Sequence, residues 1–320
     1  MSKTLDSVAA GHMCVDVTPV FSDTGATKIG DVLKPGKLVN VDPAKISLGG
    51  PVPNTGLALK IYGLSLAVMA GLGDDEFGEI GVRLLGEYGV SGIKPTPGAT
   101  TSYTVALALP GIDRIFLHCP GKNDSCTSAD IDFDTVATAR HFHLGYPPLM
   151  KGMMADEGKE LAETFRKAKE ADTTTSLDMS LPDVDSPSGR APWDVILKNT
   201  LPYVDIFMPS IEEIYMMLDR DNYIRLRDEH PDADLVEHVP VEDYPRLAQM
   251  ALDLGCGVCV IKTARRGYYL RGGKAERLAT FGSAAKPDAA AWADRELWAP
   301  AYHVPKIATA TGSGDSSIAG

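Results

Sequence analysis

The stretch TATGSGDSSIAG, residues 309–320, is the most informative local pattern in the sequence. Its small residues Gly312, Ser313 and Gly314 allow the backbone to bend so that successive N–H groups point into one concavity, and a helix beginning there adds its positive end. This turn predicts an anion-binding site. Asp315 at its rim would repel an anion, so we interpret its carboxylate as a base that takes a proton from an attacking hydroxyl group. The motif alone also fits a glycine turn whose Asp caps a helix.

A second glycine-rich pattern, GGPVPN at residues 49–54, precedes an apolar helical stretch. The pair Gly49 and Gly50 permits close approach of the backbone to a ligand, and the Asn54 amide can both donate to and accept from hydroxyl groups. Asp16 is predicted to end the first strand, at 11–17, where its carboxylate could accept two adjacent hydroxyl hydrogens. These residues predict a polyol-binding site.

Between the two patterns, apolar runs alternate with segments of helical periodicity. The predicted strands are 65–72, 140–144, 174–179, 204–208 and 257–262, and the predicted helices are 76–88, 151–169, 193–201, a helix from 211, and 245–254. Strands separated by helical crossovers predict an α/β fold with a mostly parallel sheet covered on both faces, and functional residues at the carboxyl ends of its strands.

Three segments interrupt this alternation. Residues 101–109 and 114–119 predict a hairpin, which together with 14–20 could form a small β-sheet that acts as a lid. The charged segment 219–242 is interpreted as a solvated insertion of short helix and loop. Residues 281–302, rich in Ala, Pro and Asp, predict a loop crossing the surface.

Composition excludes several classes of protein. The 320 residues carry 31 Lys and Arg against 43 Asp and Glu, a net charge of −12, which argues against a general grip on nucleic acid or an anionic membrane. We find no membrane-spanning run and no basic-then-apolar leader, so a cytoplasmic address is expected. The five cysteines are scattered; Cys256 and Cys259 form a C-x2-C, but no second ligand pair lies beside them at metal spacing.

The ordered combination of motifs resembles the ribokinase-like (phosphofructokinase B, PfkB) carbohydrate kinases from about residue 7 to 320. It consists of the Asp16 strand, Gly49-Gly50 with Asn54, GLGDDEFG at 71–78, PGKN at 120–123 and the terminal Gly-Ser-Gly-Asp. The resemblance implies a Rossmann-like αβα sandwich with a small β-sheet lid. It also implies ATP-dependent, Mg²⁺-assisted transfer of a phosphoryl group to a hydroxymethyl oxygen of a sugar or sugar-like acceptor.

The resemblance also implies roles for single residues. Asp315 matches the family's catalytic base, and Gly312, Ser313 and Gly314 match its anion hole. Asp16, Gly49, Gly50 and Asn54 match sugar-binding positions, as does Asn123, although Lys122 stands where Ala is usual. Asp75 and Gly78 match a motif that we take to be structural.

The nucleotide side departs more from the family pattern. Glu213 is retained from an Asn-x-x-Glu segment that helps to place magnesium and phosphate, but Ser210 replaces the Asn. No direct protein ligand to Mg²⁺ is expected: ATP phosphates would hold it, with Glu213 acting through water. Lys262 could reach ATP phosphates or be an exposed charge at a strand end, and Ala264 replaces the first Gly of a turn that ends at Gly267.

Two further departures concern the C-terminal region. Thr309 stands where the family often has Asp near a monovalent-cation site, which weakens any expectation of potassium activation. The chain is expected to be a single ribokinase-like domain over 1–320, with lid segments at about 14–40 and 100–120. Only six residues follow the anion cradle, so the family's C-terminal helices are expected to be missing.

Other functions remain open. A non-catalytic sugar- or nucleotide-binding homologue of the kinase fold is the main alternative. Gly314-Asp315-Ser316-Ser317 also resembles the nucleophile motif of a GDS-type esterase, and residues 71–76 weakly resemble a dinucleotide fingerprint that lacks its third Gly. The acceptor stays unassigned among sugars, sugar acids and nucleosides, and exposed lid strands are compatible with a homodimer through the lid.

Overall fold

The computed structural model describes residues 2–23, 25–112, 114–231, 233–284, 288–305 and 312–320. Thr309, whose position bears on a monovalent cation, lies outside the described residues.

A twisted, parallel-rich sheet forms the body. Its strands, within the described residues, are β1 (Leu5–Gly11), β4 (Leu66–Ala70), β7 (Ala139–Gly145), β8 (Thr174–Asp178), β9 (Ile206–Phe207), β10 (Val258–Lys262), β11 (Tyr268–Gly272) and β12 (Glu296–Ala299). The order across the sheet is β12-β11-β10-β9-β8-β7-β1-β4, and all pairs are parallel except β10 with β11 and β11 with β12. The predicted α/β class is therefore confirmed.

Helices connect and flank these strands. They are α1 (Ile29–Val32), α2 (Pro51–Ile61), α3 (Glu76–Glu87), α4 (Phe133–Thr138), α5 (Lys151–Glu170, interrupted by non-helical backbone at 155–158), α6 (Trp193–Thr200), α7 (Ile211–Leu218), α8 (Arg220–Glu229), α9 (Asp243–Asp253), α10 (Ala275–Leu278), α11 (Ala289–Trp292) and α12 (Ser313–Ala319). The main core lies between the sheet and α5 to α9, around fully buried Phe142, Phe165, Phe207 and Tyr244. A second apolar cluster lies under α2 and α3.

A second sheet projects from the body. Its order is β3-β2-β5-β6, formed by β2 (Cys14–Val20), β3 (Asp42–Gly49), β5 (Tyr103–Leu107) and β6 (Ile115–Cys119). The first predicted strand, 11–17, is wrong. The chain leaves the body sheet at Gly11 and enters the small sheet at Cys14, so Asp16 lies within β2 instead of ending a body strand.

Two other segments differ from expectation. The charged segment after α7 does contain a short helix and loop, but it also contributes Tyr223, Leu226 and Leu235 to the main core. The supposed surface loop at 281–302 includes β12, which pairs antiparallel with β11. All four β12 residues are exposed, so this strand has no alternation of buried and exposed side chains.

No helix in the described ranges is long and apolar enough to cross a bilayer.

Candidate active site

Asp315 and Asn54, 261 residues apart in sequence, meet where α12 packs against α2. The Asn54 amide Nδ2 donates to Asp315 Oδ2 at 2.8 Å. The second carboxylate oxygen, Oδ1, is buried and has no hydrogen-bond partner among the described residues. One oxygen is therefore fixed by a neutral donor, and the other is left to accept a proton.

The turn before α12 holds Asp315 in this position. Gly312 adopts a left-handed conformation with φ of 74°, which glycine tolerates without strain, and it is the N-cap of α12. The Thr55 hydroxyl of α2 donates to the Asp315 carbonyl at 3.2 Å. Asp315 thus lies in the first turn of α12, and Gly312, Ser313 and Gly314 form the bend beside it.

Tyr146 faces this carboxylate from the end of β7. It has a left-handed backbone, with φ of 62°. Burial raises the pKa of the Tyr146 phenol, and the nearby carboxylates of Asp315 and Asp178 and a hydrogen bond to Asp315 raise it further. The phenol is therefore protonated at neutral pH and can donate a hydrogen bond.

A charged cluster lies across the sheet edge from Asn54, at the ends of β8 and β10. Lys262 Nζ forms an ion pair with Asp178 Oδ1 and lies 4.0 Å from Glu213 Oε2. Burial raises the pKa of Asp178 to about 7, despite the opposing effect of Lys262. Burial disfavours the charge on Lys262, but Asp178 and Glu213 outweigh it and raise the lysine pKa.

The interpretation of Lys262 as an exposed strand-end charge is wrong. Only 13% of its side chain is exposed, because it lies between two buried acids. Its ammonium group is therefore fixed in position at the edge of the sheet.

The segment around Ser210 is explained by helix capping. The Ser210 hydroxyl accepts a hydrogen bond from the Glu213 N–H at 3.2 Å, and Glu213 Oε2 accepts from the Ser210 N–H at 2.6 Å. This reciprocal pair is a capping box at the start of α7. The spacing of the two residues therefore has a structural cause, and the Ser210 hydroxyl is already engaged with the backbone.

A cavity of about 440 Å³ adjoins Lys262 between the strands β10 to β12 and α12. Its lining is largely apolar and includes Val260, Leu270 and Ile318, with Lys262 and Ser317 also at its wall. The cavity combines a largely apolar wall with the ammonium group of Lys262.

The predicted sugar-binding residues cluster at the junction of the two sheets. Asp16 is half-buried on β2 and packs directly against Gly49 on β3, where a Cβ atom would collide with its carboxylate. Gly50 has φ of 93°, and a Cβ there would lie 2.6 Å from the His12 carbonyl oxygen. Glycine is therefore required at both positions for the strands and α2 to approach this closely.

Asn123 is fully buried beneath the site. Its amide Nδ2 donates to the Met13 carbonyl at 2.8 Å, and this bond fixes the segment between β1 and β2. Its Oδ1 is buried with no hydrogen-bond partner in the described part of the chain. Asn123 thus supports the loop that carries the site.

The remaining matched glycines and acids stabilise turns. Gly267 has φ of 96° and lies against the chain just after β12, close to Ala301 and Pro300. The Asp75 carboxylate accepts hydrogen bonds from the Gly78 and Thr101 N–H groups, at 2.9 Å and 2.8 Å. Asp75 therefore joins α3 to the segment that leads into β5.

Sequence reasoning missed His12, Tyr146 and Asp178. Each lies at or directly after the carboxyl end of a parallel strand, namely β1, β7 and β8. The sequence predicts β7 and β8, and functional residues are expected at the carboxyl ends of such parallel strands. Applying that rule to the residue at each strand end would have identified Tyr146 and Asp178.

The described residues contain no group of three or more His, Cys, Asp or Glu side chains that could hold a metal ion. Asp178 and Glu213 are hard oxygen donors of the kind that Mg²⁺ prefers, but Lys262 lies between them. This arrangement fits a metal carried by a ligand better than one bound by a protein cage.

Known proteins resemble this chain in sequence over part or most of its length. The family model described as pfkB family carbohydrate kinase matches residues 8–277. Fructokinase-2 of Solanum lycopersicum is 28% identical over 142 residues, which cover 43% of this chain and 40% of that protein. The alignment thus spans less than half of that curated relative.

Solved structures share the fold over nearly the whole chain. Ribokinase from Giardia lamblia superposes with a TM-score of 0.68 at 15% identity, covering 99% of this chain and 81% of that one. Fructokinase of Xylella fastidiosa with bound ATP gives 0.66 at 17%, covering 98% and 79%. Arabidopsis thaliana ribokinase with ribose and ATP gives 0.64 at 16%, covering 100% and 84%.

Proposed function

Because the chain belongs to the pfkB family of carbohydrate kinases, we propose that it transfers the γ-phosphoryl group of ATP to a hydroxymethyl group of a sugar or sugar-like acceptor. The observation that carries this proposal is the Asp315 carboxylate, with Oδ2 held by Asn54 and Oδ1 buried and unpartnered. A base needs one free oxygen within reach of the hydroxyl proton, and Oδ1 meets that need.

In the proposed reaction, the acceptor oxygen forms a bond to the γ-phosphorus. The bond from that phosphorus to the β–γ bridging oxygen breaks, and ADP leaves. The hydroxyl proton moves to Asp315 Oδ1. The backbone N–H groups at Gly312, Ser313 and Gly314 stabilise the negative charge that develops on the transferred group.

On the nucleotide side, the 440 Å³ cavity would take the adenine ring, and Lys262 would face the phosphates. Glu213 and Gly267 belong to the same side: Glu213 through its contact with Lys262, and Gly267 through the turn after β10. Mg²⁺ bound to ATP would lower the charge on the phosphates, and Glu213 would hold water at that metal. Asp16, Gly49, Gly50, Asn54 and Asn123 would position the acceptor.

The small sheet β3-β2-β5-β6 would close over the acceptor and exclude water, which limits wasteful hydrolysis of ATP. Its outer strands β3 and β6 expose Ile46, Phe116 and Leu117, so a homodimer through this sheet is part of the proposal. We propose one ribokinase-like domain over 1–320. The net charge of −12 supports the absence of a nucleic-acid partner. The five unpaired cysteines support a cytoplasmic address.

One observation favours the second candidate, a non-catalytic sugar- or nucleotide-binding homologue. The Ser210 hydroxyl already accepts the Glu213 N–H, so only its O–H and one lone pair remain to hold a water near magnesium and phosphate. Such a homologue would bind the sugar without releasing ADP.

The test is an ATP-coupled assay over a panel of sugars and nucleosides with the Asp315→Asn variant. The kinase proposal predicts that kcat falls by about 10² or more, while acceptor affinity by calorimetry changes little. Asp221→Asn, an exposed carboxylate on α8, is the matched control and should keep full turnover. Unchanged kcat in Asp315→Asn would remove Asp315 as the base, and sugar binding without ADP release in the wild type would select the non-catalytic homologue.

A further inference from the structure

Three rings form a row at the acceptor side of the site. The His12 ring lies between His118 on β6, with ring centroids 5.4 Å apart, and Tyr146 after β7, at 6.5 Å. His12 is 2% exposed, and both its ring nitrogens are buried without a hydrogen-bond partner in the described residues. His12 therefore forms the buried back of this row, and His118 is the ring of the row that faces a cavity.

The two imidazoles carry no charge at neutral pH. Burial lowers the pKa of His12 to about 3, and burial also lowers the pKa of His118 in spite of nearby Asp16 and Asp124. A neutral imidazole can donate and accept hydrogen bonds but gives no attraction to an anion. The ring row therefore suits an uncharged polyol.

His118 connects this row to a larger cavity. Its Nδ1 is bonded to the Thr104 hydroxyl at 2.9 Å, inside the small sheet, and its side chain also lines a cavity of about 830 Å³. Opposite His118 the cavity is lined by the turn after β7, the start of α5 and the loop after β8. Volumes of about 300 to 1,000 Å³ are typical of pockets that bury most of the surface of a drug-sized ligand.

The chemistry of the cavity wall is mostly apolar. Leu149, Met154, Leu181, Pro187 and Ala191 contribute to it. Two acids, Asp124 and Asp183, lie at the wall against one lysine, Lys151. This balance disfavours a phosphate or carboxylate group and favours an uncharged apolar or planar group.

We infer that the acceptor is an uncharged sugar carrying an apolar or planar substituent, with its hydroxyl groups at Asp16 and His118 and its substituent in the cavity beyond His118. This inference rests on the proposed kinase function. It narrows the acceptor to substituted sugars such as nucleosides and aryl glycosides, and it excludes sugar phosphates and sugar acids.

Matched acceptor pairs test it: ribose against uridine and adenosine, and glucose against phenyl glucoside, with ribose 5-phosphate and gluconate as anionic acceptors. We expect at least one substituted acceptor to exceed its free sugar by about tenfold or more in kcat/KM, the scale expected for burying a few apolar groups. Ala155→Trp places an indole in the cavity from an exposed position, and should reduce that preference by about tenfold. Ala291→Trp, the same change at an exposed position of α11, should leave the preference unchanged.

Other results overturn the inference. A free sugar or an anionic acceptor that surpasses every substituted one contradicts it while leaving the kinase proposal intact, as does a preference that Ala155→Trp does not alter. If no acceptor is phosphorylated, the kinase proposal fails, and calorimetric titration of the same pairs into wild type and Ala155→Trp decides the cavity separately. Binding of uridine, adenosine or phenyl glucoside that Ala155→Trp weakens supports the inference, and binding of none of them refutes it.

Discussion

Two buried acids at the edge of the body sheet are held in opposite ways. Asp315 is fixed by the neutral amide of Asn54 and keeps one oxygen without a partner. Asp178 is paired with the ammonium group of Lys262, which also lies near Glu213. Each acid thus has one oxygen held and one buried without a partner among the described residues, but the held oxygen faces a neutral amide in Asp315 and a cation in Asp178.

This difference assigns the two sides of the proposed site. A base that is paired with a lysine is a weaker proton acceptor, so catalysis by Asp315 depends on its neutral tether. A lysine that faces phosphate must remain charged when buried, and Asp178 and Glu213 raise its pKa for that purpose. Removing the Lys262 ammonium group should therefore impair phosphate binding, whereas removing the Asn54 amide should impair the base.

The largest effect is expected from Lys262→Met, which leaves Asp178 and Glu213 buried without their cation. Breaking a buried ion pair from one side costs about 3–5 kcal/mol of unfolding free energy. The double variant Lys262→Met/Asp178→Asn should recover part of that stability, since only Glu213 then remains buried without its cation. Urea unfolding measures the unfolding free energies of both variants.

The double variant also separates folding from function. It should remain stable yet show a raised KM for ATP, because the cation is absent. A double variant as unstable as the single one would contradict the assignment of the cost to unpaired charge.

Loss of the neutral Asn54 amide should lower the unfolding free energy by less. Asn54→Ala removes the donor to Asp315 Oδ2, and leaving a buried acceptor unsatisfied costs about 1–3 kcal/mol. Turnover should fall with it, since the carboxylate is no longer oriented. Asn199→Ala is the control, because that exposed amide donates only to the Glu157 carbonyl. Equal losses of stability in the two variants would show that the Asn54 tether has no special role.

The sequence predicted the parallel part of the fold well, because strands such as β4 are short apolar runs bounded by helices. The strand prediction failed where one continuous stretch of sequence passes from the body sheet into the small sheet. The pattern from Gly11 to Val17 continues across the point where the chain passes from β1 to β2, and local periodicity does not reveal a change of sheet. The exposed edge strand β12 carries no periodicity at all.

The site was predictable only in part, for a related reason. The Gly-Ser-Gly-Asp turn suggests an anion site and a base, and its combination with Asn54 came from family resemblance. The pairing of Lys262 with Asp178 depends on β10 and β8 lying on either side of β9, which is a property of strand order. Neither residue has a local pattern that indicates the other.

The pH dependence of stability tests the protonation of Asp178. The pKa of Asp178 is raised to about 7 in the folded chain, above the ordinary value for an unfolded aspartate. The folded state then binds more protons between about pH 4 and 7, so the stability associated with this group is present at low pH and is lost as pH rises through 7.

Relative to Asp178→Asn, the wild type should lose up to about 1.4 kcal/mol of unfolding free energy per pH unit over that range. Urea unfolding at pH 5, 6 and 7 measures the slope. Parallel slopes in the two proteins would mean that Asp178 is ionised throughout, as a strong ion pair with Lys262 would require.

The smallest effect concerns the turn that follows Lys262. Ala264 has a left-handed backbone with φ of 46°, a conformation that costs an alanine about 1–2 kcal/mol and a glycine little. Ala264→Gly should therefore stabilise the chain by about 0.5 kcal/mol after the greater entropy of unfolded glycine is subtracted. Gly267→Ala should do the opposite, since φ is 96° there and a Cβ would lie 2.6 Å from the Ala301 N atom. If the ion pair with Asp178 alone positions Lys262, Ala264→Gly will raise the melting temperature and leave the KM for ATP unchanged. A changed KM would show that the strained turn, as well as the acids, holds the lysine in place.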